Sequence, residues 1–194
     1  MITVDANTLA AVAIAQSNEK TRYYLNGVCF EPGVMVATDG NMLTAAQCDY
    51  DNPARIILPI SKKAQTAAKK RSARAVTWDG EERDGTLQVI GENGEILHVE
   101  PVRTIDGEFP DWRRVLPSDY DSETPNISET IMRKLTDTCK VLDARCLRHT
   151  NNSRSPCVVR YGSDNTIFTV VMPMRGDVDT SIPAWVNGQT EAQE

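Results

Sequence analysis

A chain of 194 residues has room for one domain, or one and a part, and is long enough to bury a proper core. Its 40% hydrophobic and 25% charged content is that of a soluble globular protein, and no stretch approaches the ~20 apolar residues of a membrane span. The net charge of -6 argues against a generic nucleic-acid coat while leaving room for local basic patches.

The elements follow from periodicity and punctuation. A first helix is predicted over 7–17, capped by Asp5, with Leu9, Val12 and Ala13 on one side. The start of the chain has an apolar run without a basic flank, which makes a poor signal peptide. Strands are predicted at 23–31 and 34–38, split by Pro32 and Gly33, and Asp39-Gly40 reads as a hairpin turn into a strand at 42–48. A second helix over 61–71 follows Pro59, with Ser61 as its cap. Strands at 73–78, 86–90 and 96–104 are separated by Asp79-Gly80, Asp84-Gly85 and Glu92-Asn93-Gly94. The third helix is predicted over 127–142, where Asn126 and Glu129 resemble a capping box and Ile131, Leu135, Cys139 and Leu142 form an apolar stripe. Strands at 157–161 and 167–172 complete the pattern, with Ser163-Asp164-Asn165 between them.

Helix-then-strands thus recurs three times, at a spacing of roughly 60 residues. The fold class is α+β, with repeated helix-plus-antiparallel-sheet units and the helices on one face. Residues 1–117 hold two units, 118–125 a polar linker, and 126–176 one further unit. Residues 177–194 read as a flexible tail containing an apolar island at 182–186, which is either unstructured or able to occupy a groove.

Catalytic chemistry is sparse. His98 lies in a strand without Cys or Asp at metal-ligand spacing, and His149 lies in a polar stretch. Glu81 and Glu82 fall in a turn, where solvation is the simplest reading. No nucleophile elbow, zinc-protease or phosphate-loop motif occurs, so neither enzymatic activity nor a cofactor or metal is expected. The five cysteines, Cys29, Cys48, Cys139, Cys146 and Cys157, are odd in number and form no CxxC pattern, which predicts reduced thiols in a cytoplasmic protein. The second helix gathers Lys62, Lys63, Lys69, Lys70 and Arg71, with Arg74 just beyond it, opposite Ala64, Ala67 and Ala68. That face is either solvated or a sequence-independent contact for nucleic-acid phosphates.

Four phrases stand out: RYYLNG at 22–27, VATDG at 36–40, FPDWRRVLP at 109–117 and MPMR at 172–175. Each pairs apolar residues with an Arg or a Gly-containing turn, as suits an apolar groove with a polar rim. In this order they resemble the bacterial DNA polymerase III beta subunit, the sliding clamp. Residues 1–117 resemble that family's central domain and 126–175 the second half of its C-terminal domain. The resemblance implies helices facing a DNA-containing hole, sheets outside, and a groove for short peptides of replication and repair proteins, often of QLxLF type. It maps that groove to Leu25, Thr38, Gly40, Leu43, Pro110, Arg114, Val115, Val170, Met172, Pro173, Met174 and Arg175, with the basic second helix facing DNA. The competing reading is that these residues pack two units together.

Asn41 and Met42 stand where the family usually has a His-Arg pair, and Trp112 where it often has Tyr. The family's N-terminal, ring-closing domain has no counterpart. The resulting expectation is a truncated clamp homologue, of phage or plasmid origin among other sources, that binds clamp-binding peptides as an adaptor or decoy. The alternative is a homo-oligomeric mini-clamp that encircles double-stranded DNA as a processivity factor. No membrane partner is expected.

Overall fold

The computed structural model describes residues 1–81, 83–117, 126–149 and 155–174. The linker, the tail with its apolar island, Glu82 and Arg175 lie outside the described residues. Three helices, α1 (Ala6–Ala13), α2 (Lys62–Ala68) and α3 (Glu129–Leu142), are set among eleven strands.

Each helix starts where a short polar side chain caps its first free N–H groups. Asp5 accepts from Thr8 N at 2.7 Å, Ser61 from Ala64 N at 3.0 Å and Ser128 from Ile131 N at 3.4 Å. The cap of α3 is therefore Ser128 rather than Asn126, and Glu129 is its first helical residue instead of the reciprocal partner of a capping box. This helix ends on Asp143 in the left-handed region, with Ala144 N donating to Cys139 O. The predicted one-sided stripe on α1 is instead apolar nearly all round, and α1 is buried between α2 and α3. Its alanines allow that close approach.

The strands form two antiparallel sheets. Four of them, β1 (Ile2–Asp5), β6 (Ala73–Glu81), β7 (Asp84–Gly91) and β8 (Ile96–Arg103), pair in the order β1-β6-β7-β8. The other seven are β2 (Val28–Glu31), β3 (Val34–Thr38), β4 (Met42–Gln47), β5 (Ile56–Leu58), β9 (Cys146–His149), β10 (Cys157–Tyr161) and β11 (Asp164–Val171). Their order is β5-β2-β3-β4-β11-β10-β9. Sheet membership crosses the sequence units: β1, ahead of the first helix, pairs with β6 after the second, and β11 joins the third unit to the first through β4.

Both faces of the seven-stranded sheet are covered, and side chains divide between them with the strand period of two. Val28, Phe30, Met35, Ala37, Met42, Ala46, Val159 and Val171 enter the helix-side core. Their neighbours Cys29, Val36, Leu43, Ala45, Val158 and Val170 enter a second core on the opposite face. That second core is roofed by the chain leaving β8. Ile105 N donates to Ile57 O, and Phe109 and Trp112 are buried against the sheet. Residues 23–25, expected to begin a strand, form a 3-10 turn instead, which brings Leu25 into the same core. No helix among the described residues is long and apolar enough to cross a membrane.

Candidate functional site

The turn between β3 and β4 is built around one carboxylate. Asp39 Oδ1 accepts from the N–H groups of Asn41 and Met42, both at 2.8 Å. Its other oxygen takes Lys134 Nζ from α3 at 2.5 Å. Thr38 Oγ1 donates to Met42 O and accepts from Gly40 N. Gly40 itself has φ +93°, a region that favours glycine. The Arg22 guanidinium packs over it, and a Cβ there would lie 2.5 Å from Nη1, so any other residue would also push that side chain aside.

Beside this turn runs β11, registered on β4 with Val170 opposite Leu43. Met172 N continues the pairing by donating to Asn41 O at 2.8 Å. Across from both lies the 3-10 turn Trp112–Val115. It is tied to β2 through Glu31, which is buried and accepts from Trp112 Nε1 at 3.1 Å and Arg113 at 2.6 Å. Arg55 reaches the same carboxylate at 3.1 Å.

These elements enclose a groove of about 300 Å³ on the face of the sheet opposite the helices. Of the residues selected from sequence, the β3–β4 turn and β11 contribute Thr38, Gly40, Leu43, Val170 and Met172, and the flanking turns contribute Leu25, Pro110 and Val115. Val115 and Met172 are apolar yet exposed there. Arg114, Pro173 and Met174 do not line it. The Arg114 side chain is 84% exposed and bonds Asp111 three residues earlier, while Met174 N turns away to donate to Asn126 O. Arg175 falls outside the described residues.

Six lining residues were not among those selected: Arg22, Tyr24, Asn41, Met42, Asp111 and Trp112. All lie in or beside the four phrases, so proximity to the selected positions was the available signal. Met42 is a special case. It occupies a supposed groove-wall position, but strand parity sends its side chain into the helix-side core.

Lys62, Lys63, Lys69, Lys70 and Arg71 are all exposed, and among the described residues none forms an ion pair. The alanines behind them, Ala64, Ala67 and Ala68, are buried. On α3, by contrast, Arg133 pairs with Glu129, Lys134 with Asp39 and Lys140 with Asp137. A larger crevice of about 520 Å³ lies between the end of α1, the start of α2 and β8. Its walls set Lys62 and Lys134 against Glu100, without the convergent apolar surface of the groove. The five cysteines are free thiols, and burial pushes the Cys29 thiol up to about 12.

No protein-family model matches the chain. The beta sliding clamp of Vibrio cholerae is 35% identical over 111 residues, which is 53% of this chain and 29% of that protein. The chain therefore spans about three-tenths of the length of that relative. Among solved structures, the DNA polymerase III beta subunit of Thermotoga maritima superposes with a TM-score of 0.64 at 19% identity, covering 91% of this chain and 66% of that one. A Pseudomonas aeruginosa sliding clamp bound to griselimycin superposes with a TM-score of 0.63 at 18% identity, covering 89% of this chain and 64% of that one. The chain is similar in sequence to the beta sliding clamps over about half its length and shares the fold of the DNA polymerase III beta subunits.

Proposed function

We propose that the groove binds short, apolar-anchored peptides of replication or repair proteins, so that the chain works as an adaptor or decoy for clamp-binding motifs in the cytoplasm. One observation carries this reading. Four phrases scattered along the chain converge on a single apolar groove, and two of its apolar residues, Val115 and Met172, remain open to solvent. Packing alone would bury such side chains, whereas anchor pockets of a binding site leave them open until occupied. Adjacent Leu, Val and Met side chains suit Leu and Phe anchors, and the pliable Met suits several related peptides. The clamp bound to griselimycin supports ligand binding by this fold, in that protein.

Titration with a fluorescein-labelled QLxLF peptide tests the reading. Saturable binding is expected, and Met172→Asp should weaken it by at least ~10-fold with little change in melting temperature, since the side chain lies at the surface. Absence of binding at high micromolar concentration removes the proposal.

The unpaired cations on and just after α2 support a second reading, in which several copies assemble so that this face surrounds double-stranded DNA as in a processivity factor. The outer edges of β8 and β9 pair with no further strand among the described residues, which gives such copies somewhere to join. Light scattering decides it: a discrete oligomer is expected, and a monomer at all practical concentrations ends the idea.

A further inference from the structure

Of the residues lining the groove, only Arg22 and Asp111 carry charge, and each is closed in an ion pair within its own loop. Arg22 donates to Glu19 twice, Nε to Oε2 at 2.9 Å and Nη2 to Oε1 at 2.8 Å. The same Nη2 also reaches Asp39 O at 3.4 Å. Asp111 accepts from Arg114 Nε at 3.1 Å. The cation nearest the turn from behind, Lys134, is bound to Asp39. The two positions after Gly40 are the uncharged Asn41 and Met42. Among the described residues the groove therefore offers no unpaired charge to a ligand.

We propose that Glu19 is a specificity-determining residue: by neutralising Arg22 it makes the groove indifferent to acidic residues beside a peptide's apolar anchors. This rests on the peptide-binding reading above. The carboxylate does not line the groove itself. Its grip is two-pronged, the geometry in which Arg and a carboxylate match best. In consequence the Glu19 carboxyl is held below the usual carboxylate range by the hydrogen bond from Arg22, and Arg22 is raised in turn. A ligand carboxylate would have to displace Glu19 to reach the guanidinium, exchanging one ion pair for another with little net gain. Position 19 precedes the RYYLNG phrase by only a few residues, so the charge preference of the site is set by a residue outside its walls.

Glu19→Gln keeps an oxygen that accepts from Arg22 and removes the negative charge. Two fluorescein-labelled peptides, QLNLF and QLDLF, share their anchors and differ by one charge. The unaltered protein is expected to bind both within ~2-fold at about 50 mM and about 300 mM NaCl alike. Glu19→Gln is expected to favour QLDLF by ~5-fold at the lower salt, with the preference fading at the higher and QLNLF affinity unchanged. Adding Arg22→Gln should abolish that preference. An unaltered protein that already favours QLDLF, or a ratio that Glu19→Gln does not move, overturns the proposal while leaving the groove intact. Binding of neither peptide overturns the groove reading, and this assignment with it.

Discussion

Replacing Glu31 with alanine is expected to cost about 3 kcal/mol of unfolding free energy and to weaken peptide binding by ~10-fold. The carboxylate is 5% exposed, a position that a charge tolerates only when paired and hydrogen-bonded. Three groups satisfy it: Trp112 Nε1, Arg113 and Arg55. Both guanidiniums are half exposed and can regain water when Glu31 is lost, which places the cost at the lower end for a broken buried pair. The indole N–H cannot do so, because Trp112 is buried. Arg113 lies 4.3 Å from the Trp112 ring centroid, so releasing it also loosens the cation–π contact on that ring. The turn that carries Val115 to the groove would then lose its side-chain polar ties to the sheet among the described residues. Glu31→Gln retains an acceptor for the indole and should cost about half as much. Urea denaturation followed by Trp fluorescence, together with the peptide titration, checks both. An unchanged midpoint for Glu31→Ala would mean that the clasp contributes nothing.

Local signals explain what could be read from the sequence. The hairpin of β3 and β4 was legible because Asp39-Gly40 separates two short, mainly apolar runs, and its strands lie almost where the pattern put them. Asp79-Gly80 and Asp84-Gly85 gave the same signal for a different reason. Both pairs lie inside paired strands, with Gly80 opposite Gly85, and the turn falls between the strands. A Cβ at either glycine would come within 2.7 Å of the Trp78 indole, so these glycines make room for a ring rather than bend the chain. Three strands had no local signature of their own. Ile2–Asp5 merges into the cap of α1, and Ile56–Leu58 is only three residues long and gains its partner, β2, from a distant part of the chain. Cys146–His149 follows α3 closely and is defined by its pairing with β10.

The walls of the groove were legible as phrases because their apolar and Gly-containing sequences are unusual. The fate of the charged residues within them was not. Arg114 looks like a rim cation until Asp111, one turn back, draws it to solvent, and Arg22 looks free until Glu19 closes on it. Such pairings depend on the turn geometry that brings residues three apart together, and composition does not carry that information. The groove and the basic residues at α2 also share no residue, one lying on the sheet face away from the helices and the other in the helix layer. A peptide in the groove and a polyanion at the helices would therefore not compete for the same surface.

Thr169→Val is expected to destabilise the protein by about 3 kcal/mol although it barely changes the volume of the side chain. Thr169 is fully buried, and its hydroxyl meets Thr44 Oγ1 and Tyr161 OH, each at 2.8 Å. Thr138, buried as well, donates its hydroxyl to Lys134 O at 2.9 Å. One ordering of protons runs along the three hydroxyls: Tyr161 donates to Thr169, and Thr169 to Thr44. Burial raises the Tyr161 phenol above its ordinary range, so the phenol keeps the proton that this relay needs. Valine would interrupt it at the centre and leave two buried hydroxyls each short of a partner, at about 1–3 kcal/mol apiece before relaxation. Thr169→Ser keeps the hydroxyl and loses a methyl, for about 1 kcal/mol. Since Thr44 lies opposite Thr169 in the β4–β11 pairing, the network fixes the register that sets Val170 beside Leu43 in the groove. Peptide affinity should therefore fall with Thr169→Val and survive Thr169→Ser. Equal urea midpoints for the two variants would show that shape, and not the hydroxyl chain, holds β11 to β4.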